Sequence, residues 1–94
     1  MTKAEIVSKI SDKTGVEKVT ALAIIESFMV EVKTAITNND AVFLRGFGTF
    51  KAKKRAEKTG RNISKNTAII IPAHHIPSFK PAKVFVNQVK ERVK

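Results

Sequence analysis

Cysteine, tryptophan and tyrosine are all absent from this 94-residue chain. Without cysteine there is no disulfide and no thiolate zinc site, and without tyrosine no phenolic nucleophile. Four glycines and three prolines leave few places for a tight turn or a break. No apolar run approaches the ~18 residues of a membrane span, and Thr2 to Val16 has neither the apolar core nor the small-residue cleavage site of a secretory leader. A soluble, cytoplasmic, single small domain is expected, with a core that is only just sufficient.

Acidic residues are scarce in one half only. Met1 to Phe50 holds six basic and six acidic residues, whereas Lys51 to Lys94 holds twelve basic and two acidic, so the whole net charge of +10 falls in the second half. Solubility needs only a modest net charge of mixed sign. So segregated an excess costs stability by self-repulsion and points to a polyanion as partner rather than to a merely solvated face.

The carboxylates argue against catalysis. Asp12, Glu17, Glu26, Glu31 and Asp40 are spread through the first half and only Glu57 and Glu91 lie in the second, which gives neither a Mg²⁺ cluster nor an activated nucleophile with its base. No enzyme activity, cofactor or small-molecule substrate is expected. His74 and His75 are adjacent, so on a strand they point to opposite faces and cannot chelate one ion. They read as a polar strand end, and no metal site is expected.

Periodicity places the elements. Thr2 with Glu5 is a capping-box pattern ahead of Ile6, Val7 and Ile10 on one helical face, and Gly15 ends that helix. From Lys18 to Thr37 a second helix carries Leu22, Ile25, Phe28, Met29, Val32 and Ile36 at steps of three and four. Val19, Ile24, Val30 and three alanines make most of its surface apolar, so it is buried on two sides, and a second copy of the chain or a close relative is expected to cover it. Asn38 to Asp40 supplies a left-handed cap and a turn, Ala41 to Arg45 a first strand, and Gly46 to Gly48 a tight reversal.

A second strand is expected from Thr49 past Lys58 and a third over Thr67 to Ile71, a long hairpin with its tip near Ile63. Its outgoing strand has almost no large apolar residue, so it reads as a mobile arm that orders on a partner. Continuous alternation would put Lys51, Lys53, Arg55 and Arg61 on one face and Lys54 and Lys58 on the other. A ribbon basic on both sides suits insertion into a groove flanked by phosphates, and Arg and Asn near the tip are residue types that read the minor groove. Pro72 and Pro77 are expected to break the return strand, Phe79 to anchor the core, and Pro81 to open a last helix whose apolar face is Phe85, Val89 and Val93. All six phenylalanines are expected in the core or at a shared interface.

Gly46-Phe47-Gly48-Thr49-Phe50, Arg55-Ala56 and Thr59-Gly60-Arg61-Asn62, in that order, resemble the bacterial histone-like HU and IHF family along essentially the whole chain. The resemblance implies an α+β fold: two N-terminal helices, a three-stranded antiparallel sheet extended into a long β-ribbon arm, and a short C-terminal helix, intertwined as a dimer. One domain would cover 1–94, with a helical dimerisation base over 1–40, the sheet over 41–81 carrying the arm over about 52–73, and the last helix over 82–94. The implied partner is double-stranded DNA, which the arms enter by the minor groove and bend, in the nucleoid of the cytoplasm. The dimer is a homodimer or a heterodimer with a paralogue.

Position by position, Arg55, Lys58, Arg61 and Asn62 match arm residues that contact DNA in the family, with Lys53 and Lys65 as further cations of the arm. Lys3, Lys80 and Lys83 match basic positions of the body. Gly46 and Gly48 match glycines that present N–H groups to phosphate, and Phe47, Phe50 and Phe79 match an aromatic core shared between subunits. Leu22, Ile25, Phe28, Met29 and Val32 complete the expected dimer core. The chain departs from the family at the arm tip, where Ile63 stands in place of the usual wedge proline and Asn66 in place of the turn glycine. Isoleucine is also a wedge type, but it leaves the tip backbone freer than proline does, so a smaller or more variable bend is expected. Largely sequence-tolerant, HU-like binding is the leading expectation, over an IHF-like subunit with preferred sites and over a general polyanion or RNA binder.

Overall fold

The computed structural model describes residues 1–62 and 67–93, with the side chains of Arg61, Asn62 and Thr67 outside that description. The expected tip residues Ile63, Lys65 and Asn66 lie outside the described residues. Packing divides the chain into two units, Met1–Thr34 and Ala35–Lys94.

In the first unit α1 spans Lys3–Thr14. Thr2 caps it as expected, its hydroxyl accepting from the Glu5 N–H at 3.2 Å, and the Gly15 N–H closes the other end on the Ser11 carbonyl at 2.9 Å. The long helix α2, Lys18–Thr37, crosses into the second unit. It ends at Asn39, whose φ of 56° is the left-handed conformation that asparagine tolerates, while the Asn38 and Asp40 N–H groups both bond to the Ala35 carbonyl. Val7 and Ala21 are the buried apolar residues of this unit among those described. Leu22, Phe28 and Met29 remain more than a third exposed, and Val19, Ile24 and Val30 more than half, so α2 keeps a broad apolar surface in the single chain.

The second unit is built on an antiparallel sheet in the order β1-β2-β5, formed by Val42–Leu44, Gly48–Arg55 and His74–Pro81. A separate two-stranded ribbon pairs β3, Lys58–Asn62, with β4, Thr67–Ile71. The helix α3, Lys83–Arg92, follows from an Ala82 cap that makes no side-chain bond. In the central sheet Val42 pairs with Phe50 and Phe50 with Phe79, so these three share a face. On that side Phe47, Phe50, Phe79 and Phe85 form one cluster with ring centroids from 4.7 to 6.3 Å apart. Phe79, expected as a core anchor, packs within this cluster but stays 36% exposed in the single chain, and Phe85 brings α3 onto the same cluster.

Several boundaries differ from those the sequence predicts. The first strand stops at Leu44, which leaves Arg45 in the turn. The strand expected to run unbroken past Lys58 is interrupted at Ala56 and Glu57, opposite Pro72 and Ala73, where the return strand breaks as well. Alternation therefore does not carry across the gap, and Arg61 is not placed on the face of Lys51 by strand parity. Pro77 does not break the chain: it pairs with Ala52 inside β5, an edge strand, where proline is tolerated. Pro81 ends β5 rather than opening the helix, because α3 starts two residues later, and Val93 caps that helix with extended backbone and high exposure.

Phe43 stands apart from the aromatic cluster. Phe43 pairs with Thr49, and Thr49 with Lys80, so these lie on the face opposite the aromatic cluster, and Phe43 is 77% exposed.

Candidate nucleic-acid interface

The register that gathers Phe50 and Phe79 on one face fixes what the other displays. Lys51 pairs with Ser78, Lys53 with Ile76, Arg55 with His74, and Thr49 with Lys80. Alternate residues of a strand stand ~6.7 Å apart on one side, so Lys51, Lys53 and Arg55 form a row with Lys80 beside its start. Neither β2 nor β5 contains a carboxylate, and this cationic face therefore has no acidic neighbour within its own strands. Lys54 lies on the opposite face against His75, as the alternation within β2 predicts.

His74 and His75 do point to opposite faces, each across from a cation. His74 is tied to the break in the return strand, its Nδ1–H donating to the Pro72 carbonyl at 2.9 Å. On the far side of that break Lys58 pairs with Ile71, exposed at the start of β3, and the backbones of Arg61 and Asn62 pair with Ala68 and Thr67. The ribbon's charge sits on β3, because β4 carries no ionisable residue.

The two glycines of the reversal each have a structural reason to be glycine. Gly46 holds φ at 81° in the turn closed by the Phe47 N–H on the Leu44 carbonyl at 2.9 Å. Gly48 is buried in the sheet, where an added Cβ would sit 2.6 Å from both the Lys80 carbonyl and the Phe79 ring. The Phe47 carbonyl then accepts from the Ala82 N–H at 2.9 Å, fastening the reversal to the start of α3 and holding Lys83 at its first position. Arg45, which the sequence pattern places at the end of the first strand, instead lines a groove beside Gly46 together with Lys80 and Lys83.

Lys3 belongs to the first unit and is engaged: its Nζ donates to Glu26 Oε1 at 2.9 Å, both side chains being half exposed. Such surface pairs contribute ~0–1 kcal/mol, so Lys3 can exchange Glu26 for a phosphate at little cost.

Comparison with known proteins agrees with this geometry. Residues 1–90 match the family described as "Bacterial DNA-binding protein". DNA-binding protein HU of Thermus thermophilus is 36% identical over 91 residues, covering 97% of this chain and 94% of that protein. HU-alpha of Salmonella typhimurium is 39% identical over 90 residues, covering 96% and 100%. Among solved structures, an Anabaena HU–DNA cocrystal superposes with a TM-score of 0.89 at 32% identity over 100% of both chains. Thermotoga maritima HU, at 21% identity and a TM-score of 0.67, shows the same fold. With the match running from α1 through α2, the sheet and the ribbon into α3, the chain belongs to the bacterial DNA-binding protein family that includes HU.

Proposed function

We propose that this chain is an architectural DNA-binding protein of the HU kind, which binds duplex DNA largely without reading base sequence and bends it. The observation that carries this is the row Lys51, Lys53 and Arg55 with Lys80, a cationic strand face uncompensated by any carboxylate in its strands. Phosphate is the ligand such a row matches, and phosphate contacts position a protein without specifying sequence. The ribbon that begins after Arg55 enters the minor groove with Lys58, Arg61 and Asn62, and Ile63 acts there as an apolar wedge. Lys53 and Lys65 add cations to the arm, and Gly46, Gly48, Lys3, Lys80 and Lys83 engage flanking phosphates.

Both units act together as one module and as a dimer, and the apolar residues that α2 leaves exposed, Val19, Leu22, Ile24, Phe28, Met29 and Val30, support this reading. The partner is a second copy or a paralogue, and the site of action is the nucleoid.

The test is fluorescence anisotropy on a mixed-sequence duplex and on the same duplex carrying two nicks, at roughly 50 to 200 mM salt. Steeply salt-dependent binding that favours the nicked duplex is expected, since nicks lower the cost of bending. Equal affinity for the two would show a basic surface that binds without bending, and would overturn the architectural reading.

A further inference from the structure

The ribbon joins the central sheet through a stretch that neither ladder covers. The last pair of β2 with β5 is Arg55 with His74, and the first pair of β3 with β4 is Lys58 with Ile71, so Ala56 and Glu57 on one strand and Pro72 and Ala73 on the other stand outside both. Side chains do not close the gap either, for a groove of about 570 Å³ opens there with Ile76 of the sheet and Ile71 of the ribbon both in its lining. The backbone torsions of these four residues therefore decide the direction in which the ribbon leaves the sheet. The two strands are restrained unequally. Ala56 and Glu57 have neither a ring nor a β-branch to narrow their torsions, whereas the Pro72 ring fixes φ at about −65° and keeps Ile71 extended.

What the proline leaves free is its own ψ and the torsions of Ala73, and the His74 ring spans that stretch, with Nδ1 2.9 Å from the Pro72 carbonyl oxygen. A carbonyl only accepts, so the imidazole carries a proton on Nδ1, and the bond closes a local ring over Ala73. We propose that His74 is the positioning residue of the arm: through the Pro72 carbonyl it holds the ribbon in one direction against the sheet and so sets the bend given to the duplex. This rests on the DNA-binding reading above and deepens it, since a ribbon that enters a groove must first be aimed at it. One exposed hydrogen bond shifts such an equilibrium by a factor of about 2 to 10, and affinity falls with the fraction of arms correctly aimed. His74 also lies on the face of Arg55, so the role to be separated from this one is a direct contact with phosphate.

The experiment measures amide residual dipolar couplings of the full chain without DNA, which report the direction of β3 and β4 against β1, β2 and β5 and its spread. Affinity and bend distribution on one duplex, by anisotropy and single-pair fluorescence, are measured beside them. His74→Ala is expected to widen the spread of arm directions, broaden the bend distribution and lower duplex affinity about fivefold, with the melting temperature as in the parent. His74→Asn puts a side-chain amide where Nδ1 stands and should restore all three. His74→Gln puts its amide where Nε2 stands, so it keeps a donor for phosphate but not the bond to Pro72, and should behave as His74→Ala does. Couplings that are the same in the parent and His74→Ala, or an Asn variant no better than Ala, would overturn the proposal. A Gln variant that restores affinity as well as Asn does would overturn it in favour of direct phosphate contact. Failure of the parent to bind the duplex would instead remove the DNA-binding reading and the role in bending with it, while the couplings would still decide whether His74 holds the ribbon.

Discussion

Two glycines two residues apart do different work, and substitution separates them. Gly48→Ala places a methyl 2.6 Å from the Lys80 carbonyl, which is backbone and cannot swing aside, so the strands β2 and β5 must part locally. We expect a loss of about 1–3 kcal/mol in urea unfolding, as for other overpacked sites. Gly46→Ala meets nothing within 4 Å and suffers only from its φ of 81°, a cost of about 1–2 kcal/mol. The sequence shows both as a Gly-x-Gly turn and cannot distinguish them, because the close approach at Gly48 is made by a strand some thirty residues further along. For Arg55 the prediction concerns salt rather than stability. Exposed at the end of β2, it should take part in folding very little, and Arg55→Ala should reduce the slope of log affinity against log salt by about 0.9 if it holds one phosphate. An unchanged slope would show that its side chain points away from the DNA.

Among the elements, the helices were legible and the ribbon was legible only in part. The α2 stripe repeats over twenty residues, and its start at Lys18 and end at Thr37 fall where the pattern places them. The break at Ala56 and Glu57 has no local signal, since neither residue forbids extended backbone. It arises because the return strand breaks at Pro72 and Ala73, so that the ladder has no partner there. Pro77 misled in the opposite direction, because its tolerance depends on β5 being an edge strand, which is a property of the whole sheet. The separation of the β3-β4 ribbon from the central sheet has a consequence for stability. Exposed apolar residues, Ile69 to Ile71, show that the ribbon buries little. Replacing residues 58–71 by a two-residue Asn-Gly turn should therefore keep cooperative unfolding with a midpoint shifted by no more than about 1 kcal/mol, yet weaken duplex binding at least tenfold. Loss of the cooperative transition would mean that the ribbon supports the sheet rather than serving only the ligand.

At the scale of the whole molecule the question is what covers α2. Val7 and Ala21 are the buried apolar residues of the first unit among those described, too few to secure a helix of twenty residues on their own. The stripe residues Phe28 and Met29, expected from their spacing to be core, are each more than a third exposed. The sequence could reveal that this helix is apolar nearly all round, but not which side faces the chain's own α1 and which a second copy, because both sides obey the same hydrophobic pattern. A charge placed on this surface discriminates between a monomer and a dimer. In a lone chain, Met29→Glu puts a carboxylate at a position that water already reaches, and surface changes of that kind usually cost within about 0.5 kcal/mol. In a dimer the same carboxylate is sealed between two apolar helices with no partner, a penalty of several kcal/mol incurred once per subunit. We therefore expect the parent to sediment at twice its chain mass of 10.4 kDa and to melt at a temperature that rises with protein concentration. The Met29→Glu variant should sediment as a single chain or fail to fold cooperatively, with its melting temperature no longer dependent on concentration. A variant that remains dimeric with an unchanged melting curve would place the subunit contact elsewhere, and would leave the apolar surface of α2 to be covered by something other than its own copy.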